Sequence, residues 1–182
     1  MLPQFAQPAA DRAARRILAV VVLIQICLFV SATRSQFRET VSPGGFTRPQ
    51  ILGATVGGID CHGYYGWLRS LLIDGDWDFA NEYLFYQAHW PGSDGPLPRT
   101  PTGRTANQWS VGPAVAWSVA VVPVHYALTA AGVESQEPRG YSPPYQLAVG
   151  AVTLALSVAT LLFAYRIART FAPPVASAVA GP

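Results

Sequence analysis

YSPPYQLAVGAVTLALSVATLLFAY, residues 141–165, runs for 25 residues without an Asp, Glu, Lys or Arg. A helix needs roughly 20 apolar residues to cross a bilayer core of about 30 Å, and this stretch exceeds that length. Two further uncharged runs precede it, Ile17 to Thr33 and Thr105 to Val133. The first is short, but Arg15, Arg16 and Arg34 flank it and can reach the headgroups along their own alkyl stems. Only 12% of the 182 residues are charged, about half the share of an ordinary soluble domain. The pattern predicts an α-helical integral membrane protein of about three transmembrane helices.

The runs divide the chain. Residues 1–16 form a polar lead, 17–33 the first transmembrane helix, and 34–104 a long loop. Residues 109–132 form a second helix, 143–165 a third, and 166–182 a tail. Pro113 and Pro123 predict that the second helix is kinked or split, and that it crosses or re-enters. Arg12, Arg15 and Arg16 precede the first span, which places the N-terminus in the cytoplasm and the loop outside it. That expectation meets a conflict further on. Three full crossings would leave Arg166 and Arg169 outside, against the same rule, unless the second helix re-enters. A secretory signal cleaved near Val30, Ser31 and Ala32 is the alternative to an anchor, but the apolar run is longer than the usual signal core. Localisation in the cytoplasmic (inner) membrane follows, multi-pass.

All twelve basic residues are Arg, and the net charge of +2 is too small to suggest a nucleic-acid partner. Cys27 lies in the first apolar run and Cys61 in the loop, so a disulfide framework is not expected. His125 sits in the second run, where a hydrogen bond to backbone is the plainer role and a functional ionisable group the sharper one. The chain ends on Pro173, Pro174 and a further apolar start, which reads as a sequence cut short.

The loop holds seven of the ten acidic residues and is the expected seat of any chemistry. Turns are expected at Ser42 to Gly45 and around Gly53, Gly57 and Gly58, and irregular chain over 91–104. Between them Tyr64, Trp67, Leu68, Leu71 and Leu72 share one helical face, which predicts an amphipathic helix over 63–73, with Arg69 off the stripe. Such a helix, lying between two spans, is expected to rest in the membrane interface; the core helix of a small loop domain is the other reading. Asp60 heads it, either as a helix cap or as a general base. Asp74, Asp76 and Asp78 have the odd spacing of a calcium loop, but Phe79 and Phe85 stand where that loop needs Gly and Glu. A looser divalent-cation site stays open, beside plain solvated turns. No metal ligand is assigned, and a divalent cation is the one cofactor left open.

Taken in order, these pieces resemble a known family. Asp60-x-x-Gly63-Tyr64-Tyr65-x-x-Leu68-Arg69-Ser70-Leu71 is followed by Asp74-Gly75-Asp76-x-Asp78-Phe79-x-Asn81-Glu82-Tyr83. Thr102-Gly103-x-x-x-Asn107-x-x-Ser110-Val111-Gly112-Pro113-Ala114 then leads into the next span. Over roughly residues 15–172 the layout resembles the N-terminal part of bacterial GT-C fold membrane glycosyltransferases, the protein mannosyltransferase-like and aminoarabinose transferase-like enzymes. The resemblance implies a polyprenyl-phosphate sugar donor, an extracytoplasmic acceptor, and Asp60 as catalytic base or acceptor-positioning residue. It further implies Glu82, Arg69 and His62 as substrate-binding candidates. Members of that fold have on the order of ten spans, so a missing C-terminal half or a further membrane subunit is expected. The competing readings are a non-catalytic membrane protein whose acidic loop binds a partner or cation, and an inactive remnant.

Overall fold

The computed structural model describes residues 7–39, 58–89, 95–133, 140–172 and 176. Five α-helices appear among them in order: α1 Gln7–Glu39, α2 Gly58–Arg69, α3 Ala80–His89, α4 Gly112–Ala130 and α5 Pro143–Ala168. The glycine turns expected at 42–57 and most of the tail lie outside the described residues. The protein is an α-helical membrane protein. Three of its helices, α1, α4 and α5, are long and apolar enough to cross a bilayer.

Each of these helices departs from its expected bounds for a local reason. α1 extends past its apolar run at both ends, because Ala9, Ala10, Ala13 and Ala14 before it are strong helix formers. α4 is one continuous helix, not two halves. Pro113 falls in its first turn, where no backbone donor is needed, so only Pro123 sits in the interior. α5 begins on Pro143 and Pro144 for the same reason and runs three residues further than the uncharged stretch.

The chain forms two compact units. One comprises residues 1–32 and 153–182, the membrane segments of α1 and α5. Within it the two helices run antiparallel: Arg169 donates to Asp11, and Gln25 donates to Ser157. Leu18 accordingly lies among Leu162, Phe163 and Arg166.

The other unit, residues 33–152, holds α2, α3, α4 and the start of α5. Its core joins Tyr65 and Leu68 of α2 to Trp117 and Val121 of α4, with Tyr145 and Val149 of α5. α2 is therefore a core helix of this unit, buried on nearly every side, rather than one with a single buried stripe. After Arg69 it widens into a π-turn, Ser70–Asp74, closed by Gly75 at φ 72°. The wider turn advances each residue by less than the 100° of an α-helix, so the predicted stripe drifts off the core. Leu71, expected on the apolar face, is exposed, while Arg69, expected off it, is buried.

Candidate functional site

Asp60 lies in the first turn of α2, two residues inside its start, so it is not the cap of that helix. Its carboxylate is exposed, and Oδ1 accepts a 2.9 Å hydrogen bond from the Trp109 indole. Trp109 is held in turn. Its backbone N–H donates to Asn107 Oδ1, its carbonyl accepts from the Trp67 indole at 2.8 Å, and Asn107 donates to the Gly63 carbonyl at 2.7 Å. A Cβ at Gly63 would run into the Trp109 ring. Gly63→Ala is accordingly expected to cost about 1–3 kcal/mol by overpacking, read as a lower unfolding midpoint in denaturant. A midpoint equal to the parent's would mean that Trp109 is not seated on α2.

Behind this surface lies a buried ionic cluster. Arg69 Nη1 donates to Asp74 at 2.6 Å and to Glu82 Oε1 at 2.8 Å, and its guanidinium carbon stands 5.1 Å from the Tyr141 ring centre. The His62 ring donates from Nε2 to the Glu82 carbonyl at 2.6 Å and stacks on Tyr141. That bond fixes the tautomer, leaving Nδ1 bare and without a partner. Burial lowers His62 to about 4, against the pull of its carbonyl bond, and the charge of Arg69 adds to the effect. Burial likewise pushes Glu82 up to about 7, although Arg69 works against it.

The three substrate-binding candidates thus meet one another, but not at the surface. Glu82 and His62 are each 2% exposed and Arg69 is 5% exposed. A phosphate could reach Arg69 only after a carboxylate left it. In the structure these three side chains are buried and tied to one another, whereas the Asp60 carboxylate is exposed.

The acidic turn is also occupied from within. Asp74 Oδ2 accepts from Asn81 as well as Arg69. Asp76 Oδ1 accepts from the Ser70 hydroxyl and from the Asp78 N–H. Asp78 Oδ1 caps α3 through Ala80 N–H and takes the Thr105 N–H at 2.9 Å; the latter bond above all holds its carboxyl below the usual range. Among the described residues no three His, Cys, Asp or Glu side chains converge on a metal position. Both cysteines are free thiols. His125 bonds the Tyr145 hydroxyl at 2.8 Å rather than backbone.

Sequence reasoning missed Trp109, Tyr141 and the roles of Asn107 and Thr105. Asn107 and Asp78 belong to the motifs quoted above, but their partners lie 44 and 27 residues away, at distances no local period reveals. No family model, curated protein or solved structure matches this chain.

Proposed function

We propose that the chain works as a membrane glycosyltransferase, or as the N-terminal part of one, with Asp60 as its general base. The observation that carries this reading is the exposed Asp60 carboxylate, anchored on Trp109 three residues before the apolar helix α4 begins. Tryptophan favours the level of the headgroups, so a carboxylate fixed to it stands where a lipid-borne sugar would be presented. Asp60 takes the proton of an acceptor hydroxyl, whose oxygen attacks the anomeric carbon. The bond from that carbon to the polyprenyl phosphate breaks, and the phosphate leaves with the electron pair. The buried cluster contributes by locking α2 to α3, which fixes where Asp60 stands.

Asp60→Asn tests this cleanly, because the amide oxygen can still accept from Trp109. The fold is kept while the proton acceptor is lost, at an expected cost of about 10²–10⁴ in rate. The measurement is transfer from a polyprenyl-phosphate sugar by membranes carrying the complete gene product, at matched expression. Transfer within about threefold of the parent, far above that loss, would make Asp60 an anchor for Trp109 and nothing more. That outcome would favour the non-catalytic reading, which draws on the exposed Trp77 and Leu84 beside the acidic turn as partner contacts.

A further inference from the structure

We infer that only α1 and α5 cross the membrane, and that α4 stays on the outer side with its free apolar face docked on lipid of the outer leaflet. Asp11, before the apolar run of α1, pairs with Arg169, just past the end of α5. Gln25 meets Ser157 further along, so position falls on α5 as it rises on α1. The start of α1 and the end of α5 therefore share one side of the membrane.

Parity then decides the remainder. A chain that crosses once in α1 and once in α5, and finishes on the side where it began, makes an even number of crossings between them. Among the described residues α4 is the single remaining candidate. The intervening stretches 40–57, 90–94 and 134–139 are too short or too polar to cross, the longest carrying Arg48 and two prolines. One crossing would be odd, so α4 makes none.

The arginines agree. Arg12, Arg15 and Arg16 at one end and Arg166 and Arg169 at the other now all lie in the cytoplasm, which removes the conflict that three crossings create. α4 is built for such a position. Ala114, Trp117 and Val121 are buried in the outer unit. Val111, Val115, Val119 and Tyr126 form the opposite, exposed row, at spacings of four, four and seven. A helix with protein on one side and a second apolar face bare is suited to a lipid surface.

Three single-cysteine reporters, Thr102→Cys before α4, Ala131→Cys after α4 and Phe171→Cys after α5, test the crossing count in a Cys27→Ala, Cys61→Ala background. With a membrane-impermeant maleimide on spheroplasts, Thr102→Cys and Ala131→Cys should label to the same extent before and after lysis, and Phe171→Cys only after it. Labelling that puts Ala131→Cys on the side opposite Thr102→Cys means that α4 crosses, and overturns the inference. Labelling of both only after lysis overturns the outer placement. The lipid contact is read separately from a nitroxide on Val119→Cys, with the protein in phosphatidylethanolamine–phosphatidylglycerol vesicles. Oxygen dissolved in the lipid should relax this label more strongly than a water-soluble nickel chelate. Stronger relaxation by the chelate would place Val119 in water. Protection from both would place it against protein, and either result overturns the docking on lipid.

Discussion

Above pH 7, where Glu82 is ionised, Arg69→Ala is expected to cost the 33–152 unit about 3–5 kcal/mol, because it strips the cation from a buried ion pair and leaves the carboxylate behind. Glu82 would keep its place under α2 with neither oxygen partnered, since Oε2 already lacks a hydrogen bond. Asp74 would keep Asn81, so the damage falls chiefly on Glu82. The guanidinium also covers the Tyr141 ring, and that contact goes with it. Adding Glu82→Leu to Arg69→Met replaces charge by apolar bulk and should recover a large share of the loss, since the desolvation cost disappears with both charges. Leu71→Ala, at an exposed position of the same segment, should stay within about 0.5 kcal/mol of the parent. Denaturant unfolding in detergent micelles, followed by tryptophan fluorescence, measures all three. A loss below about 1 kcal/mol for Arg69→Ala would mean the pair is worth no more than a surface salt bridge.

The second large effect lies in pH dependence, and in the parent it is hidden. His62 has its folded pKa depressed from 6.5 to about 4, so the unfolded chain takes up a proton that the folded one refuses. Its contribution is lost as pH falls from 6.5 towards 4. Glu82 has its folded pKa raised from 4.5 to about 7, so the folded chain keeps a proton that the unfolded one has released. Its contribution is lost as pH rises from 4.5 towards 7. Between 4.5 and 6.5 the two slopes have opposite sign and cancel, each amounting to roughly 1.4 kcal/mol per pH unit. Glu82→Gln should therefore destabilise on acidification across that window, by on the order of 3 kcal/mol relative to the parent. His62→Gln should do so on alkalisation by a similar amount. Parallel profiles for parent and both variants would show that neither group is shifted.

What could be read from the sequence follows from the range of the forces involved. The membrane helices were legible because an uncharged run is a one-dimensional signal. The helix around Tyr64 to Leu68 was legible from its period, as far as the π-turn that breaks it. Arg69, the last residue before that turn, is buried and Leu71 within it is exposed, the reverse of the pattern, and nothing in the spacing of apolar residues announces a wider turn. Asp60 could be picked as the first acid of its helix. Its hold on Trp109 spans 49 residues and could not be read. The acids from Asp74 to Asp78 looked like solvent-facing charges because their donors, Arg69, Ser70, Asn81 and Thr105, are polar residues that look equally solvent-facing. Pairing among polar side chains leaves little trace in hydropathy.

The bond between Gln25 and Ser157 bridges 132 positions of sequence, and this distance has a meaning in time. Ribosomes add about 5–20 residues per second, so α1 waits roughly 7–26 seconds in the bilayer before its partner is made. Throughout that interval its amide has no Ser157 to bond, and the nascent chain is tethered at one end alone. The segment between begins to fold on that single tether. α5 arrives last, and the pairing of Arg169 with Asp11 closes a ring whose order of assembly translation has already set.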